Sequence, residues 1–270
     1  MQTVEERKII LRGVTPLILG FTLFKLFIHL GSGLFANYGI FRDELYYLAC
    51  ADRLALGYVD HPPLSIHILS FWKWMFGDGL FALRFLPALL GALTVLLTGL
   101  IIRRLRGGNL AIIFGCLAVI GAPIMLAMNT VYSMNSFDFF FWTLALYICI
   151  ILVQEYRPRL WILLGIVLGL GLLNKIGVLW LGTGIFLAFL LTEHRRQFKT
   201  SGPWVAGGLA ALIFSPFFIW NIFHDFAHLE FIRNATSMKY AGVTRLDFII
   251  GQILLQNPVS LFLWLSLIHI

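Results

Sequence analysis

The chain has 270 residues, 60% of them hydrophobic and only 12% charged, and its mean hydropathy is +0.89. A soluble domain of this size cannot hide so much apolar surface, which leaves the bilayer as the solvent that fits. The net charge of +7 does not point to nucleic acid, because Lys and Arg fall in short clusters between apolar stretches, the pattern by which a membrane protein fixes its orientation. Cys50, Cys116 and Cys149 show no CxxC or Cys/His ligand spacing and read as small buried hydrophobes.

The N-terminal segment MQTVEERKIILRG is charged and precedes a long apolar run without a small-residue cleavage site, which predicts an anchor helix. A membrane helix needs about 20 mostly apolar residues. That ruler predicts spans over 14–34, 80–102, 110–128, 137–153, 160–173, 178–191 and 204–222, and a last one beginning near Phe248. Two long half-polar loops, 35–79 and 223–247, separate them. The whole of 1–270 reads as one all-α, polytopic transmembrane bundle. It stops inside the apolar run LFLWLSLIHI, which suggests a chain truncated at its C-terminus.

Charge tests the count. With the N-terminus in the cytoplasm, the inner segments hold Arg7, Lys8 and Arg12; Arg103, Arg104 and Arg106; Arg157 and Arg159; Arg195, Arg196 and Lys199. The outer connection 129–136 has none, and the outer turn 174–177 has only Lys175. This alternation is what positive-inside orientation requires, and it puts both long loops on the extracytoplasmic side.

Charged residues at a membrane edge are costly to desolvate and tend to mark function. In chain order the first loop carries Asp43 and Glu44, then Asp52, Arg53, Asp60 and His61, followed by Pro62–Pro63. FRDELYYLACADRLALG spaces Leu45, Leu48, Ala49 and Leu56 so that they could face lipid while Asp52 and Arg53 face water. This predicts an amphipathic surface helix, ended by the prolines. Asp138 interrupts the apolar SFDFFFWTLALY, and His224, Asp225, His228, Glu230 and Arg233 fill the second loop. Plainer roles compete: Asp43–Glu44 as acids in a helix's first turn, Asp138 as an N-cap, and Lys175 as a snorkelling cation. Gathered on one face, these groups suit transfer chemistry, with a carboxylate as general base and cations holding a departing phosphate.

FRDELYY, GYVDHPPLSIHIL and LFALRFLPALLGAL together resemble glycosyltransferase family 39, the PMT-type group, which includes protein O-mannosyltransferases and the bacterial lipid A aminoarabinose transferase. The resemblance continues through SMNSFDFFFWTLALY, LGLGLLNKIGVLWL and SPFFIWNIFHDFAHLEFIRNA. It implies a GT-C-like membrane fold and a polyprenyl-phosphate sugar donor. It further implies a lipid, glycan or protein acceptor and inversion at the sugar. By the same resemblance Asp43 is the base, with Glu44 beside it, and Asp138 is a second acid near the acceptor. His61 stands where the aminoarabinose transferase has a lysine near the lipid phosphate, while Lys175 and His224 lie near the donor head. A divalent metal between Asp60 and His224 follows from that analogy, with a helix-capping role for His224 as the alternative. Two other classes compete: a secondary transporter or lipid flippase, which would place ionisable groups in mid-span and show paired broken helices, and a non-catalytic scaffold, which would tolerate Asp43→Asn.

Overall fold

A computed structural model describes residues 14–35, 39–155, 157–239 and 241–263. The N-terminal charges Arg7, Lys8 and Arg12 and the last residues of the terminal apolar run lie outside the described residues. Among the described residues the chain is helical, with no strand. In order the helices are α1 (Pro16–Phe35), α2 (Arg42–Ala51), α3 (Leu64–Phe76), α4 (Leu80–Arg104), α5 (Asn109–Ile120) and α6 (Pro123–Met128). They continue with α7 (Met134–Gln154), α8 (Arg159–Asn174), α9 (Val178–Leu191), α10 (Gly202–Phe223), α11 (Ala227–Asn234) and α12 (Arg245–Leu255). Among them α1, α4, α7 and α10 are long and apolar enough to cross a membrane, and α5, α8 and α9 are shorter apolar helices. The fold is thus the all-α polytopic bundle that composition requires.

The third expected span, 110–128, differs in a definite way. It is two helices, α5 and α6, separated at Gly121–Ala122. Ala122 is extended (φ −68°, ψ 121°) and Pro123 opens α6. Proline has no N–H to continue the ladder, so the helix breaks before it. The freed Gly121 carbonyl accepts a hydrogen bond from Asn257 Nδ2 at 3.1 Å. The first long loop also differs, since it folds into two helices rather than one: α2 ends at Ala51, and α3 follows the double proline.

Small residues let the helices approach closely. A Cβ on Gly165 of α8 would lie 2.6 Å from the Ala206 carbonyl oxygen of α10. On α1 the buried stripe is Ile18, Thr22, Lys25 and His29, at the three- and four-residue steps that put side chains on one helix face.

Contacts sort the connections into two ends. At one end Glu155 pairs with Arg104 and Arg157, and Gln197 donates to the Leu152 carbonyl. At the other, the first long loop meets Tyr132, Met134 and His228, and Asn174 meets Met134. Among the described residues, each of these contacts joins segments that the charge alternation assigns to the same side. Among the described residues, Arg104, Arg157 and the 193–199 segment stand at the opposite end of the bundle from the first long loop.

Candidate active site

α2 splits the acidic pair. Asp43, in its first turn, keeps 54% of its side chain exposed, with the exposed Arg42 Nε beside it at 3.3 Å. Glu44 is fully buried. Its two oxygens accept from the N–H groups of Phe41 (2.8 Å) and Tyr132 (2.9 Å), and from Arg84 Nη2 (3.2 Å) and Nε (3.4 Å). A carboxylate so enclosed presents no face to a substrate, so the pair divides into an open acid and a structural one. The buried face of α2 is Glu44, Tyr47 and Ala51. Leu45 is exposed, as expected; Leu56, also exposed, falls beyond the helix.

Tyr47 links Asp43 to the opposite wall. It sits one turn after Asp43 on α2, and its hydroxyl oxygen accepts the Met134 N–H at 3.2 Å, at the start of α7. Burial pushes the Tyr47 phenol pKa up, the Met134 N–H opposes the rise, and the charges of Asp60 and Asp43 add to it. The phenol therefore stays protonated across the physiological range.

Asp60 follows the loop turn and is held by its neighbours. The Tyr46 hydroxyl donates to Asp60 Oδ1 at 2.6 Å, and burial together with that hydrogen bond pushes the Tyr46 phenol up. His61 is buried, its ring stacked on Tyr47 at 5.1 Å and packed against Tyr46 and Tyr58. Nδ1 lies 2.9 Å from the Pro62 carbonyl, which can only accept, so Nδ1 carries the proton. Nε2 faces Asp60 Oδ1 at 3.8 Å. The residue expected to meet the donor phosphate, His61, is thus buried among aromatic rings, with Nε2 making no hydrogen bond.

The Asp138 and Lys175 side chains come together. Lys175 Nζ lies 3.4 Å from Asp138 Oδ2 and donates to Asn135 Oδ1 at 2.9 Å. The N-cap of α7 is Ser133, whose side chain accepts the Asn135 N–H. Asp138 therefore lies inside the helix and is not its cap. Its Oδ1 is buried without a hydrogen-bond partner, as is Asn174 Oδ1 beside it in sequence to Lys175. An ammonium has three donors, and with 36% of its side chain exposed Lys175 can offer one outward. A basic group thus stands between the Asp138 carboxylate and the Asn135 carbonyl oxygen.

His224 does not join Asp60. It ends α10, stacks on Trp220 at 4.1 Å, and places Nδ1 2.8 Å from the Trp220 carbonyl. The histidine that docks on the first loop is His228, with Nδ1 2.8 Å from the Val59 carbonyl. Burial pushes its imidazole pKa down, against the opposing effects of that carbonyl and of Asp60. Among the described residues no group of three or more His, Cys, Asp or Glu is arranged to hold a metal. An Asp60–His224 metal would therefore lack a third such ligand among the described residues. Beyond the expected residues, the site draws on Arg84, Asn135, Tyr46 and Tyr47. Arg84 gave the same signal as Asp138, a lone charge in an apolar run.

Comparison with known proteins adds the family. The family described as dolichyl-phosphate-mannose-protein mannosyltransferase matches residues 60–220, more than half of the chain. The chain belongs to this family. The match takes in Asp60, His61, Asp138 and Lys175, and leaves Asp43, Glu44 and His224 outside it. The chain is also similar to the lipid A galacturonosyltransferase RgtD of Rhizobium johnstonii (strain DSM 114642 / LMG 32736 / 3841). The two are 25% identical over 254 residues, covering 92% of this chain and 52% of that protein. The chain thus spans about half the length of that relative. No solved structure matches.

Proposed function

We propose that this chain carries the catalytic end of a membrane glycosyltransferase, which moves a sugar from a polyprenyl-phosphate donor to an acceptor on the extracytoplasmic side. The observation that carries this reading is the Asp138–Lys175 pair on an α7 whose first turn is tied through Tyr47 to α2, the helix that bears the exposed Asp43. Family membership supports it. The relative's name puts lipid A among the acceptors, and a galacturonosyl group among the sugars, to try first.

In this mechanism Asp43 takes the proton from an acceptor hydroxyl as its oxygen attacks the anomeric carbon. The bond from that carbon to the lipid phosphate breaks, its electron pair stays on the phosphate oxygen, and the configuration inverts. Lys175 offsets the charge gathering on the departing phosphate. Asp138, 3.4 Å away, holds Lys175 in place. Glu44 holds the helix that carries Asp43, and no step needs a metal.

A cleft supports the lipid end. About 560 Å³ of apolar space lies between α7 and α9. Trp142, one turn past Asp138, and Trp180, in the first turn of α9, line it near the site; Leu105, Gln154 and Thr192 line it at the basic end. A polyprenyl chain fits that apolar lining, with its phosphate at Lys175.

The transporter reading draws on the broken third span and on Lys25 and His29 buried inside the first. One experiment separates the two: transfer of label from a panel of radiolabelled polyprenyl-phosphate sugars, in membranes holding wild type or Asp43→Asn at matched levels. Label that moves in the wild type and stops in the variant supports the transferase. Equal transfer in both removes Asp43 as the base, and no transfer with any donor favours transport.

A further inference from the structure

Lys25 and His29 are buried one turn apart on α1, within a membrane-crossing segment. Polar groups there need internal partners. Theirs lie at the C-terminal end of α6. Lys25 Nζ lies 3.3 Å from the Met125 carbonyl, and His29 Nδ1 lies 3.2 Å from Thr130 Oγ1. The Thr130 hydroxyl spends its own proton on the Leu126 carbonyl at 2.7 Å. It can therefore only accept from His29, which fixes the proton on Nδ1.

A helix end leaves its last carbonyls without intrahelical donors. At α6 each one is met. Met125 takes Lys25 and the Asn129 N–H, Leu126 takes the Thr130 hydroxyl, Ala127 takes the Thr130 N–H, and Met128 takes Ser136 Oγ. The turn that follows is gripped from the other side as well. Glu44 accepts the Tyr132 N–H, the Tyr132 hydroxyl donates to the Ser65 carbonyl at 2.6 Å, and the Tyr47 oxygen accepts the Met134 N–H. A third helix limits it sideways, because a Cβ on Gly91 of α4 would lie 2.5 Å from Asn129 Nδ2. The turn then runs into Ser133, which caps α7, and into Asn135 and Asp138, which hold Lys175.

We propose that Lys25 and His29 are positioning residues that act through this turn: they fix the Asp138–Lys175 pair from inside the membrane without touching substrate. The role in transfer rests on the transferase reading above; the grip on the turn does not. A cation suits the Lys25 position because a helix C-terminus carries partial negative charge. At residue 29 the requirement is one donor at the Nδ1 position.

The test uses the intact protein in membranes with Cys50, Cys116 and Cys149 replaced by alanine and a cysteine introduced by Ser133→Cys, a buried position in the turn. Its labelling by a maleimide reports whether the turn stays closed. His29→Leu removes the donor, and His29→Asn supplies an amide N–H in its place. With His29→Leu, labelling speeds up roughly tenfold, as expected on losing one buried hydrogen bond. On the native Ser133 background the KM for a radiolabelled polyprenyl-phosphate sugar rises. His29→Asn restores both. Unchanged labelling in His29→Leu overturns the proposal, and so does faster labelling with an unchanged donor KM. Lys175→Gln is run in parallel. If it leaves transfer intact, the site reading falls, while the labelling still decides whether His29 holds the turn.

Discussion

Glu44 lies 3.2 Å from Arg84 inside the bundle, and the pair ties the first loop helix to the second long helix. Both side chains are almost wholly buried, so each charge depends on the other. Removing one charge of such a pair costs about 3–5 kcal/mol, because the other is left buried without its counter-charge. Glu44→Gln should therefore lower thermal stability in detergent sharply. Asp43→Asn, one residue away but open to solvent, should leave stability unchanged while abolishing transfer. Equal melting of Glu44→Gln and wild type would remove the structural role assigned to Glu44.

Lys175 and Asp138 should behave as one unit. Losing the cation that meets developing phosphate charge costs roughly a hundredfold in rate. Lys175→Met also leaves Asp138 without its counter-charge. If the pair works together, adding Asp138→Asn to Lys175→Met should cost little more than Lys175→Met alone. Independent, multiplying losses in initial transfer rates would separate the two residues.

His228 gives the docking of α11 a pH dependence. Burial pushes its pKa below the ordinary 6.5, so the folded chain favours the neutral ring. The docked state is fully stable above pH 6.5, where folded and unfolded chains are both neutral at this residue, and it loses stability as pH falls toward the lowered folded value. His228→Asn keeps a donor for the Val59 carbonyl but does not titrate. Between pH 8 and 5 its melting temperature should fall less than that of the wild type. Parallel curves for the two would remove His228 as the source.

The contact of Gly165 with Ala206 predicts a steric limit. An alanine at 165 would need α8 and α10 to separate, since its Cβ would sit 2.6 Å from a backbone oxygen. Overpacking of this kind costs about 1–3 kcal/mol. Gly182, whose added Cβ meets nothing within 4 Å, is the control: thermal melts should show loss for Gly165→Ala and almost none for Gly182→Ala.

The sequence made the bundle and its two ends legible because each depends on composition along one dimension. Apolar length marks spans, and clusters of Lys and Arg mark one set of connections. It also marked Asp43, Asp138 and Lys175, which are rare where they stand. It could not say that Glu44 points inward and Asp43 outward, since neighbouring helix residues differ only in the direction set by packing. His61 and His224 were equally opaque. Both look like loop cations free to meet a phosphate until His61 is found buried on Tyr47, while His224, still exposed, has its ring stacked on Trp220. Lys25 and His29 were in plain view inside an apolar run and were absorbed by the hydropathy of their neighbours.

The break before Pro123 bears on the order in which the chain can be completed in a cell. The Gly121 carbonyl finds its donor in Asn257, 136 residues later. During synthesis, α5 and α6 leave the ribosome long before that asparagine exists. Until then the exposed oxygen must be solvated by lipid headgroups, water or insertion machinery. The third crossing is therefore finished only when the chain near residue 257 arrives, which makes this segment a late clasp on an early helix.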